Sequence, residues 1–461
     1  MIGREVIRKS TIPSKSTIYA GWKLSMIHLM LDKLLKKMEV SYKFFSDLSW
    51  NVISFGVMGV TGILLNIIIA KMYNTEILGV FNQLYAIYIL LSQLAVAGIH
   101  LSILKNVSQY SEKPDGNIRE IFSSAIYLVG LLSVLVILSA FFSHSLWIDI
   151  FKSSGVKTGF IYMLPGLFFF SINKTYLAYH NAYRRMKAYA VFQSLRYILL
   201  MIFLILFIIL LVDGNKVVAI FTLSEIVLSV ILLLYSLKYI KFSVSRKVIF
   251  WAKEHLRFGT RAIVGYVLAD VNTRIDVLML GVFASDKIVG IYSFAAILAD
   301  GFNQLPIIIR TNVNPIITRY RFSKSIAELE NAISRGKKLT YKFLIPIGIL
   351  ALLSYPLILY IFRFRTEFSI LFNSWGIFSI LIAGCMISAG YLPFQMILSQ
   401  IGCPGKHTKY LTLFFLTNLI LNVILISILG MYGAAVATAL AFISQVFYLK
   451  YFVKSAIKLK I

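Results

Sequence analysis

The chain has 461 residues, 59% of them hydrophobic, with a mean hydropathy of +0.82 and a formal net charge of +27 from 46 Lys+Arg and 19 Asp+Glu. Soluble domains run roughly 45–50% apolar, so this composition excludes an ordinary soluble protein and points to a polytopic membrane protein. Two cysteines without a CxxC motif and six scattered histidines without HExxH spacing give neither a disulfide framework nor a motif for a metal or other cofactor.

The first segment, 1–47, is basic and lacks the apolar core and small-residue cleavage site of a signal peptide. Within it, KLSMIHLMLDKLLKKM sets Leu24, Ile27, His28, Leu31, Leu34, Leu35 and Met38 on one helical face, opposite Lys33, Lys36 and Lys37. Two readings stand. One is an amphipathic helix lying on the inner leaflet; the other is a true start at Met38, because MEVSYKFFSDLSW suffices to lead into a first span.

A spanning helix needs about 20 apolar residues. Twelve such runs follow, near 49–71, 78–104, 121–142, 158–182, 189–212, 216–237, 259–283, 288–309, 340–362, 369–400, 408–430 and 432–452. Runs such as YILLMIFLILFIILLV are apolar on every side, which suits buried helices and not the alternating strands of a β-barrel. The expected fold is an all-α bundle of about twelve transmembrane helices. With the N-terminus inside, 36 of the 46 basic residues fall in inner segments and adjoining span ends. Seven fall in outer loops and their margins, and Arg196, Arg261 and Arg274 lie within spans. The positive-inside rule then places both termini in the cytoplasm. The surplus charge is a topology signal, reinforced by attraction to anionic inner-leaflet lipid, and does not indicate nucleic acid as a partner.

An internal repeat divides the chain. NIIIAKMYNTEILGVFNQLYAI (66–87) and DVLMLGVFASDKIVGIYSFAAI (276–297) both run from a polar residue through an apolar stretch to a short acidic turn. Both continue with Gly-aliphatic-aromatic, Gly79-Val80-Phe81 and Gly290-Ile291-Tyr292, at an offset of 210 before the single insertion and 211 after it. Each lies in the first hairpin of a set of six spans. The expected organisation is a first six-helix half (48–240), a cytoplasmic linker (241–256) and a second half (257–461) in the same orientation, with a binding site between the halves.

At RIDVLMLGVFASDKIVGIYSFAAILAD the sequence resembles the seventh and eighth spans of the Wzx-type polysaccharide flippases, the O-antigen and capsule transporters of the multidrug/oligosaccharidyl-lipid/polysaccharide superfamily. ILSQIGCPGKHTKY (397–410) is similar to the inner end of their tenth span. The twelve-span plan matches across residues 39–461, and the long N-terminus departs from it. The resemblance implies a flippase rather than an enzyme, working in the bacterial inner membrane for O-antigen, capsule or related polysaccharide synthesis. Its substrate would be an oligosaccharide on undecaprenyl pyrophosphate. Its partners would be membrane lipids and, beyond them, the polysaccharide polymerase machinery. Two alternatives stay open: a cation-coupled drug exporter of the same superfamily, and a membrane-embedded polysaccharide polymerase, which would be expected to carry a larger outer loop than 143–157.

The seventh span, RAIVGYVLADVNTRIDVLML, carries four charges, each costing at least about 2.5–3.5 kcal/mol near a bilayer centre on insertion scales. Counted from the turn near 285–286, Asp270 and Asp300 are each ~22 Å from the outer end, level with each other in adjacent helices. Asp270 and Arg274 are four apart and expected to pair on one face. Asp276 is expected near the outer surface, where water solvates it. Arg261 and Arg310 are level at the cytoplasmic mouth and either snorkel to headgroups or meet substrate. Asp300 has no cation within a turn of its own helix, so it is expected to be protonated, to share a proton with Asp270, or to be paired across helices. Counterparts of Asp270 and Arg274 in the first half are Val60 and Leu64, which confines this charge to the second half. Arg196 and Glu225, ~9 Å apart in depth, are partly bridgeable by long side chains. NKTYLAYHNAYRRMKAY (173–189) reads as an aromatic belt with inner charge, against a second reading as a sugar- or phosphate-binding stretch. For the substrate that the resemblance implies, Arg261 and Arg274 would supply countercharge to the pyrophosphate. Asp270 and Asp300 would limit the field or carry a coupling proton.

Overall fold

Inside a bilayer each backbone donor and acceptor must be satisfied within its own segment, and the long apolar runs of this chain do so as α-helices. The computed structural model describes residues 42–110, 117–323, 326–362 and 368–457. The basic segment 1–41, with its amphipathic stretch 24–38, lies outside the described residues. The chain divides after Ile53 into two units: of the first only residues 42–53 are described, as helix, and the second, 54–461, holds the helices that follow.

No strand occurs among the described residues. Ten of the helices there are long and apolar enough to cross a membrane: this is a multi-pass membrane protein. They include α1 (Tyr42–Met72), α2 (Thr75–Val96), α4 (Ile118–Phe142), α6 (Ser154–Ala182), α7 (Met186–Ile209), α11 (Asp286–Ser323), α12 (Ile326–Phe362), α15 (Pro404–Leu429) and α16 (Met431–Ile457). A tenth is α8 (Ala219–Ser236), together with the 3-10 turn that precedes it. Between α2 and α4 lies α3 (Ile99–Tyr110), and α5 (His144–Phe151) is a short helix in the 143–157 connection. The expected tenth crossing is a pair of helical segments, Phe372–Ser388 and Leu392–Gln400, bent by 60°; its helices are α13 (Phe368–Ser388) and α14 (Ile397–Gln400).

Two further expected spans are interrupted. The run 78–104 breaks between α2 and α3, where Ala97 and Gly98 are left-handed at φ 47° and 71°. The break turns the Ala97 carbonyl towards Gly259, where a Cβ would strike it. The seventh run, 259–283, is two helices, α9 (Arg246–Asn272) and α10 (Ile275–Phe283). The Thr273 hydroxyl donates to the Asp270 carbonyl at 2.7 Å and Arg274 adopts φ −134°, ψ 4°, so the helical register stops there. Most of the expected linker 241–256 is the first part of α9.

The repeat is visible in the packing. Thr75 and Gly79 of α2 map onto Asp286 and Gly290 of α11 at the offset of 211. A Cβ on Gly79 would strike the Asp286 carbonyl, and a Cβ on Gly290 would strike the Thr75 carbonyl. Each repeat thus offers its glycine to the other's helix start, as a local two-fold relation requires.

The apolar core is shared at this end and divided at the other. One cluster draws on both repeats, with Leu78, Leu84, Ile87 and Phe221 beside Tyr292, Phe294, Ile377 and Ile382. At the Lys- and Arg-rich end, one cluster takes Ile103, Phe122, Tyr179 and Trp251, and a separate one takes Ile317, Ile333, Ile397 and Leu449. The two repeats share one apolar cluster where Gly79 meets α11 and keep separate clusters towards the basic end.

Candidate substrate site

Polar groups cannot remain unpaired among these helices, so their partners define the interior. Arg196 of α7 binds Glu225 of α8, with Nε 2.6 Å from Oε1 and Nη2 donating to Oε2 at 3.4 Å. Asn173 of α6 donates its Nδ2 to the same carboxylate at 2.8 Å, and Ser229 donates to the Asn173 Oδ1 at 2.7 Å. The Arg196 guanidinium lies 4.6 Å from the Phe170 ring centre. The ~9 Å difference in depth expected from the sequence is bridged, and the pair is closed: its side chains keep 12% and 5% exposure.

Arg274 does not pair with Asp270. The i,i+4 relation needs a continuous helix, and the break at Thr273–Arg274 removes it. Arg274 instead reaches across to α11, where its Nη1 is 3.1 Å from Asp300 Oδ2. Asp300 therefore has its cation on the neighbouring helix, and 35% of its side chain stays exposed against 16% for Arg274. The guanidinium also faces the Tyr85 ring of α2 at 5.4 Å.

Asp270 turns to the first half. It accepts a hydrogen bond from the Gln93 amide of α2, and Lys174 Nζ of α6 donates to the Gln93 Oε1 at 3.1 Å. Asp270 and Asp300 thus face different partners, an arrangement that gives no support to a proton shared between them. The counterparts Val60 and Leu64 are apolar and exposed, at 60% and 38%. The first half contributes its charge through Lys174 and its amide through Gln93 instead; sequence reasoning had not placed Gln93 in the site, and reached Lys174 only in the second reading of 173–189 as a sugar- or phosphate-binding stretch. The signal for Lys174 was its position eight residues before the end of α6, deeper than a snorkelling end charge.

Asp276 is not solvated. It is 7% exposed, accepts from the Tyr292 hydroxyl and takes the Val277 amide at 2.9 Å, because α10 turns inward after the break. Arg310 donates to Gln395 Oε1 at 2.9 Å, and Gln395 passes a bond to Gln445 at 2.8 Å. The side chain of Arg261 lies outside the described residues. The structure therefore brings Asp270, Arg274 and Asp300 together with Tyr85, Gln93 and Lys174. Arg196–Glu225 joins them through Phe170, whose ring also faces Lys174 at 5.9 Å. Asp276, held by Tyr292, borders this group through its electrostatic interaction with Arg274 and Asp300, whereas Arg310 belongs to a separate cluster.

Solved structures share this fold. The lipid II flippase MurJ in an inward closed conformation aligns with a TM-score of 0.72 at 19% identity, covering 87% of each chain. An inward-facing multidrug resistance MATE family transporter of the MOP superfamily aligns at 0.74 and 14% identity, over 88% of this chain and 99% of that one. An outward-facing transporter of that description aligns at 0.62 and 14% identity, over 89% and 96%. No curated protein sequence matches the chain. The sequence model described as "Polysaccharide biosynthesis protein" matches residues 46–321, more than half of the chain, and the chain belongs to that family.

Proposed function

We propose that this protein is a flippase that carries oligosaccharide repeat units, linked to undecaprenyl pyrophosphate, across the bacterial inner membrane for O-antigen, capsule or related polysaccharide synthesis. The observation that carries the reading is the Arg274–Asp300 pair, a guanidinium inside the bundle beside a partly accessible carboxylate and an aromatic face. An arginine fork suits phosphate oxygens, and a pyrophosphate arriving from the basic end would compete with Asp300 for it. Tyr85 and Phe170 offer faces for sugar rings, and the lipid tail would stay in the bilayer between the halves.

The halves 48–240 and 257–461 would rock about the Gly79–Gly290 crossing to alternate access. By the positive-inside rule both termini would lie in the cytoplasm, and the basic end would face inward. Export of organic cations is the weaker reading. Glu225 and Asp300 are engaged by arginine, Asp270 by Gln93, and Asp276 by Tyr292, which leaves no free carboxylate in this described set for a cation.

The test is flipping of fluorescent lipid-linked oligosaccharide in vesicles containing the purified protein. Protein-dependent movement, abolished by Arg274→Ala, is expected. Inert vesicles that nonetheless accumulate organic cations would replace this function with drug export. Reporter fusions after Asp213 should read periplasmic, and those after Lys247 cytoplasmic.

A further inference from the structure

A second basic site lies at the same end of the bundle, away from the interior charges. The end of α6, the start of α4 and the segment after α8 enclose a cavity of about 250 Å3. Arg119, Lys238 and Lys241 line it together with Tyr179, Tyr183 and Tyr239, and no carboxylate is among its lining residues. Glu120, next to Arg119, accepts from the Ser243 hydroxyl at 3.3 Å.

The floor is firm and the rim is charged. Tyr179 is buried against Phe122, with ring centres 5.0 Å apart, and its hydroxyl donates to the Tyr239 carbonyl at 3.3 Å. The three cations are exposed. Lys238 Nζ stands 4.5 Å from the Tyr235 ring centre and 4.9 Å from that of Tyr239. The Arg185 guanidinium stacks on Tyr239 at 3.6 Å, and its Nη1 is buried without a hydrogen-bond partner among the described residues. Three cations therefore line a cavity with tyrosine rings and no carboxylate among its described lining residues, and Arg185 packs on the Tyr239 ring beside them.

We propose that this pocket binds the phosphate headgroup of an anionic glycerophospholipid of the inner leaflet. The inference rests on the positive-inside orientation for its side of the membrane. A phosphodiester suits three converging cations with hydroxyl donors, and basic pockets between helices at the cytoplasmic face take such headgroups. An amphiphile, rather than a free phosphate ester, is favoured by what adjoins the pocket. Leu233, Leu234 and Leu237 of the α8 end are 39%, 64% and 56% exposed, a surface for acyl chains. The transported lipid is not the occupant, because Tyr179 lies about 140° round α6 from Lys174 and opens away from the interior site. Bound lipid would tie Lys238 and Lys241 to Arg119. The segment they belong to runs on through Ser243, held by Ser123 Oγ at 2.8 Å, into α9. The lipid thus fastens the connection from the first half to the second.

The test is native mass spectrometry of the full chain released from mixed phosphatidylglycerol and phosphatidylcholine, with a photoactivatable phosphatidylglycerol crosslinked in a parallel sample. Retention of phosphatidylglycerol over phosphatidylcholine by roughly tenfold is expected, falling to parity in R119Q/K238Q/K241Q. The control R246Q/K253Q/R257Q, equal in charge and on the same face, should retain the preference. Crosslinks should map to peptides containing Tyr183 or Lys241 in the unmodified protein, a readout that stands even if the triple variant fails to fold. Equal loss in the control would reduce the effect to general surface charge and overturn the site. Displacement of the lipid by millimolar glycerol 3-phosphate would assign the pocket to a soluble phosphate ester and overturn the lipid. Failure of flipping with lipid retention intact would count against the proposed transport function alone.

Discussion

Gly79 and Gly290 each receive the backbone of the other's helix: the Asp286 carbonyl fills the place of a Cβ on Gly79, and the Thr75 carbonyl that of a Cβ on Gly290. Asp286 adds side-chain bonds across the same crossing, accepting from Gln83 at 2.7 Å and from Ser153 at 2.6 Å. Even one methyl group here must push two helices apart, and overpacking of this kind costs about 1–3 kcal/mol. Gly79→Ala should therefore bias the protein away from the joined state. In a background with Cys385 and Cys403 replaced by serine, labelling of Ser153→Cys by an impermeant maleimide should rise several-fold. Unchanged labelling would show that this crossing does not open.

Arg274 and Asp300 should behave as a coupled pair. Removing the arginine leaves a carboxylate in a poorly solvated site, a loss of about 3–5 kcal/mol for a buried pair and less here because Asp300 is 35% exposed. Arg274→Lys should keep protein level and lower flipping, since lysine lacks the bidentate fork. Exchange of the two, Arg274→Asp with Asp300→Arg, should restore abundance without restoring transport. Full transport by the exchanged protein would make the pair purely structural. Asp300→Asn tests coupling separately: if this carboxylate carries a proton, flipping should lose its response to an imposed pH gradient.

The Lys174–Gln93–Asp270 chain predicts an ordered set of effects. Gln93→Leu removes the group that, among the described residues, joins the lysine to the carboxylate, leaving two charges without these hydrogen bonds. It should lower thermal stability more than Gln93→Glu, which keeps a partner for Lys174 while opposing Asp270. Melting curves in detergent decide the order, and a larger loss for Gln93→Glu would mean that Asp270 dominates the site.

His255 of α9 is fully buried outside the spanning run, with Nε2 3.0 Å from the Ile121 carbonyl and Nδ1 2.8 Å from Ser102 Oγ. Burial pushes its pKa below the ordinary 6.5, against the opposing pull of the Ile121 carbonyl and Glu254. The neutral ring is the folded form, so its stabilisation is complete above about pH 6.5 and is lost as pH falls towards the lower folded value. Thermal stability should decline as pH falls below about 6.5, and His255→Gln should flatten that decline. A slope unchanged by the substitution would assign it to other groups.

How far the sequence reached depended on which property was local. The number of apolar runs, their helical state and the repeat carrying Gly79 and Gly290 follow from hydropathy and spacing, because a bilayer forces each long apolar run to satisfy its own backbone. The residues able to carry charge in the interior were also legible, since Arg196, Glu225, Asp270, Arg274 and Asp300 each stand in an apolar run.

Partner choice was decided only in three dimensions. Helical spacing assigned Arg274 to Asp270, but the break at Thr273 turns the guanidinium towards α11, and no periodicity argument carries across a non-helical residue. Asp276 reads as an outer residue by distance from the turn, yet α10 packs it against Tyr292. Lys174 reads as an end charge, yet Gln93, from a helix 81 positions earlier, accepts its proton donor inside the bundle. Sequence distance fixes depth along one helix; which face meets which neighbour depends on how the helices cross, and here that is set by the glycine contacts and the two breaks.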